Sequence, residues 1–201
     1  MTLSGAVAAV IMAINVVSAA ARPPPPHIIA IVADDAGWND FGFTRNILVE
    51  ESELIGPQAK TPHLDALARG GVVLSNHYSY RYCSPSRAAF LTGRLPFHAH
   101  EANPGLATAG CTNLNYTMLP AKLAAAGYYS VMVGKWHQGI QSLACVPKLR
   151  GFNSSFGYLG GAEDHVDQTA AVCGSALCRD NSSGGGCVDL WRDEAPAHGE
   201  N

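Results

Sequence analysis

The chain has 201 residues, of which 47% are hydrophobic, and a formal net charge of -3. This hydrophobic content is sufficient for a buried core and excludes a disordered protein. Lys and Arg form no basic block, so a nucleic-acid-binding surface is also excluded, and a small or polymeric solute is the expected partner.

The N-terminal segment, residues 3–21, is apolar and ends in small residues ahead of a proline run at 23–26. This pattern predicts a secretory signal peptide at residues 1–21, although the usual basic n-region is missing. An uncleaved anchor is the alternative, because the stretch approaches bilayer length, but its Ala content and Asn15 make it weakly apolar. We therefore expect cleavage, no stable membrane insertion, and a lysosomal or extracellular location.

Cysteines and glycosylation sequons indicate the same compartment. Six Cys in a secretory chain normally form disulfides, and sequons at Asn115, Asn153 and Asn181 fit a glycosylated surface. Short sequons also arise by chance, so they corroborate the secretory prediction without establishing it.

Strands and helices are predicted to alternate after the proline run. Apolar runs predict strands at 27–33, 72–74 and 128–133, the first of them buried on both faces. Start and stop residues predict three helices, from Thr61 to Gly70, from Ser84 to Gly93, and from about residue 117 to Gly127. This alternation indicates an α/β fold with a mainly parallel sheet flanked by helices. From Gly160 onward the periodic signal is weak, and we predict a disulfide-tied loop.

Asp34 and Asp35 stand where the first predicted strand ends, which is where open α/β sheets place ligands. Adjacent carboxylates repel each other unless a cation lies between them, and hard divalent metals take such oxygen ligands. A pair of solvated loop acids is the alternative, which these two residues alone do not exclude.

The segment CSPSR at residues 83–87 carries the strongest chemical signal. Cys83 precedes a predicted helix whose free N–H groups favour an anion, and Arg87 lies one turn along on the same side, so sulfate would fit between them. A disulfide cysteine beside a helix start is the alternative. A thiolate phosphatase would need Arg six positions after the Cys, where this chain has Ala89.

Two segments together resemble the signatures of the sulfatase family, within the alkaline-phosphatase-like superfamily. The first is CSPSR at 83–87 with LTGR at 91–94, and the second is GYYSVMVGKWH at 127–137. The following residues, RGF at 150–152, FGY at 156–158 and EDH at 163–165, are similar to the arylsulfatase B branch of N-acetylgalactosamine-4-sulfatases. The resemblance covers roughly residues 28–193.

The resemblance implies that Cys83 is oxidised to formylglycine by the formylglycine-generating enzyme. It also implies that Asp34, Asp35 and the modified residue bind calcium, while Arg87 steadies the formylglycine. The hydrated aldehyde would offer one oxygen as nucleophile on sulfur and a second hydroxyl whose deprotonation expels sulfate.

The resemblance further implies that Lys135 and His137 contact the sulfate and the formylglycine hydroxyls. Metal, Lys135 and Arg87 would offset the charge of the transferring group. Without the signature, Lys135 and His137 would be an ordinary surface pair. His98 and His100 are spaced like metal ligands but lack a third partner, so they are predicted to be loop residues.

Disulfides are also implied by the resemblance: Cys83 forms none, and Cys111 pairs with Cys145. Cys187 would then pair with either Cys173 or Cys178, which stays open.

The family takes further ligands, an Asp-Asn pair, a His and a Lys, from later in a longer chain. Asp180-Asn181 is predicted to be a decoy, because Asn181 heads a sequon and no buried strand precedes it. We therefore expect residues 22–201 to be the N-terminal part of a catalytic domain, inactive alone.

The predicted function is hydrolysis of sulfate esters, of aryl or sugar sulfates. Two alternatives stay open: phosphonate or phosphodiester hydrolysis, and a non-catalytic sulfate-binding remnant.

Overall fold

The computed structural model describes residues 24–48, 59–102, 110–170, 187–197 and 199. The chain divides into two units, Met1–Ala33 and Asp34–Asn201. Several predictions lie outside the described residues: the signal peptide at 1–21, the Asp180-Asn181 pair with its sequon, and the disulfide pairing of Cys173, Cys178 and Cys187. Within the described parts of the chain, no helix is long and apolar enough to cross a membrane.

In the first unit, residues 24–33 are irregular, so the predicted strand at 27–33 is wrong. Its side chains are exposed, and Ile29 has 85% of its surface accessible. A strand needs backbone partners to exist, and none of the described strands pairs with this segment. An apolar run therefore indicates that a segment can be buried, but it does not determine which strand the segment pairs with.

The second unit contains five described helices, which we number in chain order. They are α1 (Gly42–Leu48), α2 (Pro62–Gly70), α3 (Cys83–Thr92), α4 (Pro96–Ala99) and α5 (Leu119–Ala125). Short 3-10 turns lie at Trp38–Asp40, Leu143–Cys145 and Pro147–Arg150. All three predicted helices are confirmed, as α2, α3 and α5, with α5 a few residues shorter than predicted.

Helix α2 shows why these helix boundaries could be predicted. Thr61 is its N-cap and Pro62 its first residue, and the N–H of Gly71 returns to the carbonyl of Ala68 at its end. The Thr61 hydroxyl also accepts from the N–H of Gly42 at 2.8 Å and donates to Asp65 Oδ1 at 2.8 Å. The same residues that start α2 therefore fasten it to α1.

The main sheet has four strands in the order β1-β2-β5-β6, with ranges Val131–Val133, Ser154–Tyr158, Leu190–Arg192 and Ala195–Pro196. A separate pair joins β3 (Thr169–Ala170) and β4 (Cys187–Val188). β1 and β2 are parallel, whereas β2–β5 and β5–β6 are antiparallel. The α/β class is confirmed, and the sheet of the described residues is mixed.

Two further predictions are corrected in this unit. Residues 72–74 form no strand and are exposed, because none of the described strands pairs with them. The region after Gly160, predicted to be loop, contains β3 to β6. These strands have only two or three residues each, which is too short for a periodic signal.

The segment that follows β1 contributes to the described core. This core is formed by large apolar side chains from α3, from β5 and from the segments that connect the other elements: Leu91, Met118, Trp136, Ile140, Val146, Leu159 and Trp191. The predicted disulfide between Cys111 and Cys145 is confirmed, and the indole N–H of Trp136 donates to the carbonyl of Cys145 at 2.9 Å. Because Trp136 lies between Lys135 and His137, the core and the disulfide anchor the segment that carries both residues.

Asp189 is a buried carboxyl between β4 and β5, with none of its surface exposed. Burial raises its pKa to about 7, although it accepts hydrogen bonds from the N–H groups of Leu159 and Gly160, which act in the opposite direction. The folded state therefore binds a proton in a pH range where the unfolded chain has already lost it.

We expect the free energy of unfolding to decrease as pH rises, because the folded pKa of Asp189 exceeds its unfolded pKa. The stability from this group is fully present below about pH 4 and is lost as pH rises through about 7, at most about 1.4 kcal/mol per pH unit. Urea denaturation across this range should show the slope in the natural protein and a weaker slope in Asp189→Asn. Equal slopes in the two proteins would rule out Asp189 as its source.

Candidate active site

Helix α3 positions Cys83 as its first residue, one position earlier than the predicted start. Tyr82 is extended at φ -124° and ψ 151°, and Gly93 ends the helix in a left-handed conformation at φ 67°. Pro85 fits within the first turn, where the backbone N–H has no helical partner. Cys83 forms no disulfide, as predicted.

Asp34 and Asp35 lie in a turn beside the start of α3. Asp35 has a positive φ of 54°, a conformation that Asp tolerates better than most residues. Its Oδ1 lies 4.0 Å from the Sγ of Cys83. One ligand atom from each of Asp34, Asp35 and Cys83 falls within 4.8 Å of the others, so the three could share one cation.

Two cationic side chains border the carboxylates. The Nζ of Lys135 donates to Asp34 Oδ2 at 2.6 Å, and a guanidinium nitrogen of Arg87 lies 3.8 Å from Asp34 Oδ1. Arg87 also donates to the backbone carbonyl of Lys135 at 2.7 Å. The Lys135 side chain is only 6% exposed, so it differs from an ordinary surface lysine.

The ion pair perturbs the protonation of both partners. Burial alone would raise the pKa of Asp34, but the hydrogen bond from Lys135 and the charges of Lys135 and Arg87 outweigh it, and the net pKa is lowered. Burial would lower the pKa of Lys135, yet Asp34 and Cys83 hold it above its usual value. Both groups are therefore charged at physiological pH.

His137 is the remaining predicted site residue, and it is buried, with 7% of its surface exposed. The backbone N–H of His137 donates to the backbone carbonyl of Leu159, the residue that follows β2. A Cβ added to Gly161 would lie 2.6 Å from the His137 ring, so the imidazole packs directly on that glycine. The Ser84 hydroxyl donates to the His137 carbonyl at 2.7 Å, which links His137 to the start of α3.

His98 and His100, the two histidines predicted to be loop residues, agree with that prediction only in part. His98 lies in the short helix α4, so its assignment to a loop is wrong. His100 follows that helix and is half-buried, with Nε2 2.8 Å from the Ser84 hydroxyl oxygen. No sequence signal pointed to the contact between Ser84 and His100, because it depends on how α4 returns to α3.

Comparison with known proteins gives a consistent result. The family model described as Sulfatase matches residues 26–183. Arylsulfatase J of Mus musculus is 37% identical over 163 residues, which is 78% of this chain and 25% of that protein. N-acetylgalactosamine-6-sulfatase of Homo sapiens is 37% identical over 141 residues, which is 65% of this chain and 25% of that protein.

Solved structures agree in fold. The crystal structure of Ps i-CgsB matches with a TM-score of 0.57 and 33% identity, covering 67% of this chain and 28% of that one. PsFucS1 sulfatase from Pseudoalteromonas sp. matches with a TM-score of 0.51 and 32% identity, covering 65% and 25%. These matches confirm the predicted alkaline-phosphatase-like α/β fold. The chain spans about a quarter of the length of the relatives it matches.

Proposed function

This chain belongs to the sulfatase family, and we propose that it supplies the nucleophile and part of the cation site for hydrolysis of sulfate esters. The observation that carries the proposal is the meeting of four groups at the start of α3. Cys83, Asp34 and Asp35 converge within 4.8 Å, and Lys135 adjoins them through Asp34 at 2.6 Å. With a divalent cation on the two carboxylates, and with Lys135 and Arg87 beside them, a negatively charged ester placed here would meet a nucleophile and net positive charge.

The residues present fit the groups that the family implies. The thiol of Cys83 stands where the oxygens of a hydrated formylglycine would lie, and it is not consumed by a disulfide. Calcium prefers oxygen ligands, and Asp34 and Asp35 supply carboxylates that adjoin that position. A formylglycine formed from Cys83 would supply an oxygen nucleophile, and a bound calcium would supply positive charge that favours the attack.

The chain's own residues would bind and orient the sulfate. Lys135 and Arg87 are both largely buried, with side-chain exposures of 6% and 15%, so their charges are weakly screened by water. Arg87 holds the Lys135 carbonyl, which fixes the direction in which the lysine leaves the backbone. The N–H groups that begin α3 add partial positive charge on the same side.

Sulfated carbohydrates are the proposed substrates, with aryl sulfates as convenient probes. One matched relative is named for a 6-sulfated amino sugar, and one matched structure holds k-i-k-neocarrahexaose. The formylglycine-generating enzyme is the proposed maturation partner, and the lysosome or the extracellular space is the proposed location.

The test uses the full-length protein, produced together with a formylglycine-generating enzyme and supplied with calcium. Aryl esters of sulfate, phosphate and phosphonate that share one leaving group should be compared at equal concentration. We expect sulfate release at least about 10-fold faster than cleavage of the other esters, a difference of about 1.4 kcal/mol in activation free energy.

Two outcomes would contradict the proposal. Equal turnover of sulfate and phosphate esters would favour the phosphonate or phosphodiester hydrolase. Absence of turnover in protein whose Cys83 is fully converted would favour a non-catalytic sulfate-binding protein.

A further inference from the structure

A buried polar cluster lies directly behind Cys83, and His137 is its only member with an expected role in the chemistry. Its members are Ser84, Thr112, His137 and Gln138, whose exposures are 0%, 2%, 7% and 1%. Polar side chains at such depth cost free energy unless their hydrogen bonds are made. The contacts of this cluster therefore indicate what it stabilises.

The hydrogen bonds converge on one backbone carbonyl, that of His137. The Ser84 hydroxyl donates to it at 2.7 Å and the side-chain amide of Gln138 at 2.6 Å. The same amide donates to the Ser84 carbonyl at 2.9 Å. The Thr112 hydroxyl donates to Gln138 Oε1 at 2.7 Å, which fixes the orientation of the amide.

His100 completes the cluster at its edge. The Ser84 hydroxyl has one proton, and that proton is used on the His137 carbonyl. Nε2 of His100, 2.8 Å away, must therefore donate to the Ser84 oxygen. Ser84 thus joins α3, the residue after α4 and the segment that follows β1.

The backbone of His137 explains why this convergence matters. Its φ is 52°, in the left-handed region, which is unfavourable for a residue with a side chain. Such conformations persist only where the surroundings enforce them. Two donors hold the carbonyl of His137, and Gly161 leaves room for its ring.

We propose that Ser84 and Gln138 are positioning residues, which hold the His137 backbone in this conformation and fix its position relative to Cys83. Ser84 follows Cys83 directly and Gln138 follows His137 directly, so the two side chains connect the nucleophile's helix to the segment of Lys135 and His137. The consequence for turnover rests on the proposed function, whereas the consequence for the His137 backbone does not.

The structural part can be tested by NMR on the 201-residue chain, because it contains only one His-Gln dipeptide, at residues 137–138. Labelling His with 13C at the carbonyl and Gln with 15N gives a single carbonyl-to-amide correlation, which reports the His137 carbonyl. We expect an upfield shift of this carbonyl resonance in Ser84→Ala, since a hydrogen bond is lost. Ser84→Thr, which keeps the hydroxyl, should restore the natural position.

Thr92→Ala is the matched control, because it removes another hydroxyl of α3 whose hydrogen bond, to the carbonyl of Ala88, stays within the helix. It should leave the resonance in place. Gln138→Met removes the other donor and should also shift the His137 carbonyl resonance. In that variant 15N methionine replaces 15N glutamine as the label, because residues 137–138 form its only His-Met dipeptide. An unmoved resonance in both variants would overturn the proposal.

The catalytic part is tested in the full-length protein, with rates normalised to converted Cys83. We expect Ser84→Ala to lower kcat about 10-fold while KM changes less than about 2-fold, and Ser84→Thr to recover most of the loss. A moved resonance with unchanged kcat would overturn the positioning role. If Ser84→Ala and Gln138→Met both fail to fold while Ser84→Thr folds, the cluster is structural and the proposal is overturned.

The two proposals fail separately. A moved resonance in a natural protein that hydrolyses no sulfate ester would remove the sulfatase proposal and leave the positioning of His137 intact. Normal sulfate release by the natural protein, together with an unmoved resonance in the variants, would remove the positioning proposal and leave the sulfatase proposal intact.

Discussion

Replacement of Cys83 by Ala in the full-length protein is expected to lower kcat for an aryl sulfate by at least about 10⁴-fold, because the substitution removes the proposed nucleophile itself. The side chain lies at the first position of α3, and its Sγ is 4.0 Å from Asp35 Oδ1, at the centre of the candidate site. Initial rates with saturating substrate and calcium measure the loss.

Cys83→Ser tests the same claim more sharply. The variant replaces the thiol with a hydroxyl of similar size, but the proposed oxidation acts on Cys, so the unoxidised side chain should be equally ineffective. Thr92→Ala, in the last turn of the same helix, should retain activity and show that α3 tolerates a small change. Near-normal turnover in either Cys83 variant would refute the nucleophile assignment.

Replacement of Asp34 and Asp35 by Asn is expected to have the second-largest effect. The carboxylates of both residues face the Cys83 position, and each Asn retains an oxygen but loses the negative charge that attracts a hard cation. Loss of an outer partner of a metal site typically costs 10–100-fold in affinity or activity, so loss of two direct ligand charges should exceed about 100-fold. Activity measured at increasing calcium concentration gives the loss of activity, and calorimetric titration with calcium gives the loss of affinity.

Asp167→Asn provides the matched control, because Asp167 is an exposed acid that bonds locally to Thr169. It should leave calcium dependence unchanged. An Asp34→Asn/Asp35→Asn protein with natural calcium affinity would show that the cation, if required, binds elsewhere.

Sequence predicts best where the determining interactions are local. The boundaries of α2 and α3 follow from Thr61, Pro62 and Gly93, whose effects act within one helical turn. The disulfide between Cys111 and Cys145 came from family resemblance and is present. By contrast, residues 27–33 and 72–74 have strand-like composition and form no strand, because pairing depends on distant segments.

The candidate site divides in the same way. Signature residues identified Cys83, Arg87 and Lys135, and the structure brings them together around Asp34. The burial of Lys135 and the hydrogen bond of Ser84 to His137, 53 residues apart, could not be read from sequence, because both arise only when α3 packs on the segment after β1. The likeness to the arylsulfatase B branch and the rejection of Asp180-Asn181 stay predictions.

The most direct test of the central claim is the chemical state of Cys83 in protein secreted from cells that contain the formylglycine-generating enzyme. Trypsin cleaves after Arg81 and Arg87, so one short peptide, YCSPSR at residues 82–87, carries the residue. We expect its mass to show an aldehyde in place of the thiol, and we expect the peptide to react with a hydrazide. A peptide that retains the thiol, or one that is linked through Cys83 to another cysteine, would contradict the account.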